Sequence, residues 1–544
     1  AKYTSVMRVA RPTVSGVGPV TAVQARQSPT IPVGAGHLAW VKVMAHYSFA
    51  IAASATLLFG ACAGPAPRPG PVAPRDPTTA ITDAMLWDGS GRAPVPNAVT
   101  LVRGDRILCA GSLGECPIPD DARVLDAAGG WLIPGLIDTH VHMLFLEKGS
   151  AGAELGEDLK DLLAQGITAV RDMGTNPKEL LTRTRAQAVA PRVYAMQLVG
   201  GFRFFYGRET VQMGDGSMGY RMPPAQVMQL RGWDPAMYRF RQDADAIVRD
   251  AIAAGATGLK LYGFLDVEAV QALVDAGHRA GLPVWGHAWV QPAGPSDLVL
   301  AGEDGVVHAS LLVGDLFSAE QRDSLTGHSA ILAAGARVAR PEAASDPRVL
   351  ETLDSMASRG TFFEPTLDVT LRSVAHFDAE GSATPSISED YARATVGFSM
   401  AVTREAVKRR VRIVAGTDHV AYGPRSDRAS LVAELTLLTD SVGLSPQAAL
   451  LAATRDAALA IGGDGARSLG RIEAGRYADL VLLAKNPLED VRNLASVEWV
   501  MRGGKVWRPW QLRSGIAARE ERKSRGAEEQ MRISSPALTH PGER

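Results

Sequence analysis

A (β/α)8 barrel of the TIM type, carrying a small composite β-sandwich domain built from its two flanks, is the fold this chain predicts. Three observations lead there. Between residues 131 and 469, eight short apolar runs alternate with helical stretches. Segments of similar β-prone texture stand on both sides of that stretch, at 78–130 and 470–510. Polar residues fall at the C-terminal sides of the runs, where barrel enzymes carry their chemistry.

The chain has 544 residues, 46% hydrophobic and 21% charged, which excludes wholesale disorder. Lys+Arg total 57 against Asp+Glu 58, so no general basic field exists to hold nucleic acid. Cys62, Cys109 and Cys116 are the only cysteines, too few for a disulfide framework or a cysteine-rich zinc site to organise the fold.

Residues 1–77 read as a leader and linker. The uncharged run FAIAASATLLFGA, Phe49–Ala61, is too short to span a bilayer but suits the apolar centre of a secretory signal. Met44 begins such a leader, which makes residues 1–43 an upstream extension. Cys62 ends the apolar run and resembles the lipid-modified cysteine of a bacterial lipoprotein, although Phe59 stands where a smaller aliphatic residue is usual. The alternative is plain secretion with cleavage near Ala61 or Ala63. Six prolines in residues 65–77 then form an extended tether. The expected location is therefore outside the cytoplasm, periplasmic or anchored to a membrane.

From Ala80, the segments ITDAMLWDGSG, NAVTLVRGDRILCAG and ARVLDAAGGWLIPG predict short strands, and GRIEAGRYADLVLLAKNP with VEWVMRGGKVW repeats the pattern at the far end. The eight barrel runs are WLIPGLIDTH, GITAVRDMG, RVYAMQLVG, GATGLKLYG, LPVWGHA, GVVHAS, GTFFEPTL and VRIVAGTD, with helical patterns such as VEAVQALVDAGHRAG between them. Residues 511–544 hold seven Lys/Arg and five Glu with few large apolar residues, and read as a frayed or disordered tail.

The first run ends Asp138-Thr139-His140-Val141-His142, and residues two apart on a strand share a face, so both imidazoles point into the barrel. Neutral imidazole is the commonest metal ligand. Lys260 closes run four, His287 run five, His308 run six and Asp418 run eight. Isolated buried residues of these types would be costly, which argues that they converge on a shared divalent site. Tyr262, two residues after Lys260, shares its face; it either hydrogen-bonds a substrate carbonyl or carboxylate or is a structural aromatic of the rim. The loop 200–220, rich in Phe, Tyr, Arg and Gly, either closes over the substrate, with Arg203 or Arg208 facing an anionic group, or is a solvated surface loop. Alternation turns His419 away from the site.

With GLIDTHVH, the single histidines of runs five and six, AGTD, and the flanking GRIEAGRYADLVLL, NPLEDV and VMRGGKVW, the chain resembles the metal-dependent amidohydrolase superfamily over residues 80–507. It is most similar to the imidazolonepropionase-like hydrolases and the Xaa-Pro or carboxypeptidase-like dipeptidases. The resemblance implies that His140, His142 and Asp418 hold a more buried metal and that His287 and His308 hold a more exposed one. Lys260 would carry a carbamate bridging both ions, or else stand beside a single metal as an ordinary lysine. Zinc suits this donor set best, with Mn or Co able to substitute. Such ions activate water and, helped by His308 or His287, polarise a carbonyl, while Asp418 takes the water's proton and passes it to the leaving nitrogen. Relatives often place a further histidine after strand eight; RASLVAEL, 428–435, has none.

The expected activity is hydrolysis of an amide in a small molecule, a dipeptide or N-acyl amino acid. Hydrolysis of a cyclic amide or lactone is the alternative, and a binding protein on a degenerate barrel a more distant one, since no ligand is missing. Assembly into a homo-oligomer is a further expectation.

Overall fold

The computed structural model describes residues 76–144, 151–206, 209–212, 218–221, 235–325, 328–380, 387–420 and 430–513. The expected leader, the Cys62 anchor, Arg208 and the tail beyond 513 lie outside the described residues.

Two sheets organise the chain. The flanks build an eight-stranded sheet in which Thr78–Leu86 is central, joined on one side to Val95–Arg103 and Arg106–Gly111 and on the other, through Trp131–Pro134, to Leu480–Leu483, Val497–Arg502 and Lys505–Trp507. The sandwich expectation thus meets one sheet drawn from both ends of the chain. Strand Thr78–Leu86 can serve several neighbours because its register breaks between Ile81 and Ala84 and again before Leu86. Its first half pairs with Arg123–Asp126 and its last two residues pair with Trp131 and Leu132. Ile81, Leu132, Leu480, Trp499 and Met501 pack together beneath it. Cys109 and Cys116 are joined by a disulfide at a sequence separation of 7, a local staple that the low cysteine count did not suggest.

The second sheet is parallel and curled. Its order runs Arg412–Ile413, Phe362–Glu364, Gly305–Val307, Val284–His287, Gly258–Gly263, Arg192–Gly201, Ile167–Asp172, Leu136–His142. Each of the eight predicted runs contributes one of these strands. His419–Val420 pairs with Val141 and His142 at the far edge, so the single stretch 412–420 hydrogen-bonds to strand seven by its start and to strand one by its end.

The first run needs correction. WLIPGLIDTH was read as one strand, yet Trp131–Pro134 belongs to the flank sheet and Leu136–His142 to the parallel one. The handover falls at Gly135, where a Cβ would lie 2.0 Å from Thr168 Oγ1; only glycine lets the backbone pass.

Helices cover the outer face of the curled sheet. Helix Val267–Arg279 shows why they form: Asp266 accepts from Ala269 N at its start, Val270, Leu273 and Val274 recur on its buried face, and Gly281 follows in the left-handed region. Burying each such aliphatic side chain contributes about 1.5–3 kcal/mol. Among the described residues, no helix is long and apolar enough to cross a membrane.

Candidate metal centre

The strand ends of the parallel sheet bring the ligand-type residues together. His140 and His142 leave the first strand two residues apart, with ring centroids 5.2 Å from each other. Their Nε2 atoms both face Asp418 Oδ1, at 3.3 and 3.1 Å respectively. The His308 ring centroid lies 5.1 Å from that of His140, tilted, and 4.7 Å from that of His287, edge-on, and its Nδ1 lies 2.8 Å from the Thr366 hydroxyl. Among the described residues, His140, His308 and Asp418 form a group whose ligand atoms all lie within 4.8 Å of one another. Tyr262 rests on His287, with centroids 4.1 Å apart, on the side of the site nearest Phe204.

The arrangement includes strained backbone that its surroundings must hold. His308, Thr366 and Asp418 have φ of 69°, 51° and 52°, all in the left-handed region that costs such residues of order 1–3 kcal/mol each. Asp138, fully buried, ties strand one to strand eight by accepting from Thr417 N at 3.0 Å, from its hydroxyl at 2.7 Å and from His140 N at 3.1 Å. Gly416 supplies the clearance, since a Cβ there would sit 2.6 Å from His140 Cβ and from the Glu364 carboxyl carbon.

Burial sets the protonation states. It pushes the His308 imidazole down to about 3 and holds His287 well below its ordinary value, with Lys260 and His308 adding repulsion at His287. The Lys260 ammonium is 0% exposed and burial lowers it to about 7. For Asp418, burial works upward but is outweighed by His140, by the His142 hydrogen bond and by His308, and the carboxyl stays ionised.

Two atoms test whether a metal fits. Among the described residues, buried Lys260 Nζ has no hydrogen-bond partner, and neither has His140 Nε2 despite the carboxylate near it. Proteins seldom leave such groups unsatisfied. Divalent cations beside the imidazoles, with a carbamate on Lys260, would satisfy both; a bare ammonium would instead repel the ions. The donor set of imidazoles and carboxylate suits zinc-like cations.

Glu364, at the end of strand seven, is the residue that sequence reasoning passed over. It is 0% exposed, its Oε1 lies 2.6 Å from His140 Nδ1, and its Oε2 accepts from Arg171 Nη2 at 3.0 Å and from the Thr139 hydroxyl. The available signal was its position: it closes a run just as His287, His308 and Asp418 do.

Other expectations fall elsewhere. Arg203, exposed on the short helix Phe202–Tyr206, lines a cavity of about 260 Å³ with Tyr238, Phe264, Gln291 and Asp323, and no ligand-type residue of the centre shares that lining. His419 hydrogen-bonds through its backbone N to Thr417 and pairs with Val141. His278 meets Asp304 at 2.9 Å on the surface. In the segment lacking a histidine, helix Leu431–Leu437 presents a buried Glu434 that accepts from Asp368 N.

Comparison with known proteins agrees with this geometry. Ochratoxinase of Aspergillus niger is 22% identical over 463 residues, covering 79% of this chain and 88% of its own. The crystal structure of A. niger ochratoxinase superposes with a TM-score of 0.58 at 21% identity, covering 79% of this chain and 96% of that one. A Xaa-Pro dipeptidase with bound methionine gives 0.59 at 20% identity, covering 79% and 100%. Residues 131–507 match the Amidohydrolase family, more than half of the chain, so the protein belongs to that family and is a hydrolase acting on carbon–nitrogen bonds.

Proposed function

We propose that the protein hydrolyses the amide bond of a dipeptide or N-acyl amino acid at a two-metal centre. The observation that carries this reading is the convergence of His140, His142, His287, His308 and Asp418 near a buried Lys260 whose Nζ has no hydrogen-bond partner among the described residues. His140, His142 and Asp418 would hold the inner ion, His287 and His308 the outer one, and a carbamate on Lys260 would bridge them. Bound divalent ions would supply Lewis acidity and activated water to this site.

The chain's own residues do the rest. Asp418, ionised and flanked by His142 at 3.1 Å, accepts the proton of the attacking water and carries it to the leaving nitrogen. His308, hydrogen-bonded to the Thr366 hydroxyl, would help polarise the substrate carbonyl. Tyr262, against His287, would donate a hydrogen bond to the substrate. The curled parallel sheet is proposed to close as a full barrel through 412–420, supported by the pairing of that stretch at both edges. The amide specificity draws support from the dipeptidase and ochratoxinase likenesses.

Export is part of the proposal, with a lipid anchor at Cys62. The Cys109–Cys116 disulfide supports it, because such bonds persist in oxidising compartments. Hydrolysis screens on metal-loaded protein, setting dipeptides and N-acyl amino acids against lactams and lactones, test the activity. Turnover confined to lactams or lactones would overturn the amide specificity.

A further inference from the structure

Glu364 takes no part in the proposed reaction, yet it is buried against a candidate ligand and its contacts are fully specified. Its Oε2 is occupied by Arg171 and by the Thr139 hydroxyl. Arg171 is itself fixed: Nε donates to Thr139 O at 2.8 Å, Nη1 to Ala460 O at 3.1 Å, and the guanidinium lies 3.8 Å over the Trp285 ring. Only Oε1 is left for the His140 Nδ1, and an ionised carboxylate can only accept.

A neutral imidazole has one proton and two carboxylates here to receive it. Glu364 Oε1 stands 2.6 Å from Nδ1, whereas Asp418 Oδ1 stands 3.3 Å from Nε2. If the proton sat on Nε2, it would point at Asp418 and block the atom a metal needs. The shorter contact, clamped by an arginine that is 1% exposed, wins this competition. We infer that Glu364, anchored by Arg171, is a positioning residue that keeps the His140 proton on Nδ1 and so leaves Nε2 open toward a divalent cation. The inference rests on the metal-centre reading above and adds the device that prepares the site before any ion arrives.

The first test uses unaltered protein. Nitrogen-15 NMR of histidine-labelled, metal-stripped protein should show His140 as the Nδ1-protonated tautomer; an Nε2-protonated ring would overturn the inference. The second is cobalt affinity by chelator competition, in which Glu364→Gln, equal in volume, should bind about 10–100-fold more weakly. Glu364→Asp, which keeps the carboxylate but loses volume, should recover part of that loss. A purely structural role predicts the reverse order, with Gln closer to the parent than Asp. If Glu364→Gln fails to fold, the tautomer measurement still decides. Parent protein that takes up no cobalt would sink the metal reading itself, whereas cobalt bound equally by parent and folded Glu364→Gln would sink only this inference.

Discussion

Two charge clusters, at opposite ends of different strands of the parallel sheet, solve opposite problems. Where the parallel strands begin, Arg192 meets Asp479 beside the flank sheet: Asp479 Oδ2 accepts from Arg192 Nε at 2.6 Å, and Oδ1 from Gly503 N at 2.7 Å and Arg192 Nη2 at 3.3 Å. The same guanidinium lies 3.3 Å over the Tyr477 ring. Both oxygens of that carboxylate are used. Where the strands end, Lys260 and His140 keep a buried nitrogen each without a hydrogen bond. Both regions carry desolvation costs, but one is answered by protein and the other is arranged for something the protein does not contain. The satisfied cluster ties the parallel sheet to the flank sheet, and the unsatisfied one, of ligand-type atoms, is where the proposed chemistry lies.

The sharpest break in that contrast comes from removing the imidazole pair. His140→Ala with His142→Ala should lose all bound metal and all hydrolysis while the circular dichroism of the parent is retained, as checked by elemental analysis beside the spectrum. Full metal content in that protein would contradict the assignment. Next in size, Asp418→Asn keeps the shape of the side chain but not its basic oxygen, and kcat should fall at least ~10²-fold. Near-normal kcat at neutral pH would assign the proton shuttle to another group.

At the other cluster the effect should be on stability and not on rate. Asp479→Ala removes the carboxylate from a part-buried guanidinium and should cost about 1–3 kcal/mol by urea denaturation. The hydrolysis rate per bound metal should stay that of the parent, and a fall in that rate would mean the two ends are coupled. The smallest expected effect concerns Glu434, whose carboxyl burial raises from its ordinary 4.5 to about 8. The folded state then holds a proton that the unfolded chain releases above about 4.5, so the stability associated with the neutral acid is present in full below that pH and lost as pH rises toward 8. Glu434→Gln should flatten the fall in melting temperature between pH 5 and 8; an unchanged slope would place its source elsewhere.

The contrast also explains what could be read from residues alone. His140, His142 and His287 are legible because they end strands whose alternation says which way they point. Lys260 is legible from its run although its strand continues to Gly263, and His308 and Asp418 only from following their runs, since both lie past the strands with left-handed φ. Glu364 closes a run too, but its partners Arg171 and Thr139 sit on other strands, and nothing in local spacing announces a hydrogen bond across 193 residues. The break at Gly135 was hidden because a continuous apolar run reads the same whether it serves one sheet or two. The fate of Arg203 depends on how a long insertion after strand three folds, which neither periodicity nor composition specifies.

The double pairing of 412–420 has a consequence for assembly in time. Thr417 bonds to Asp138 across a separation of 279 residues, and closing so long a loop is entropically slow, so we expect the two strands that carry His140 and Asp418 to dock late. A chain halted short of residue 412 would own every candidate imidazole and lack the carboxylate. On the proposed metal centre, ion uptake would then report completion of folding. In refolding experiments, tight cobalt binding should lag behind the recovery of helical signal and coincide with docking of the final strand.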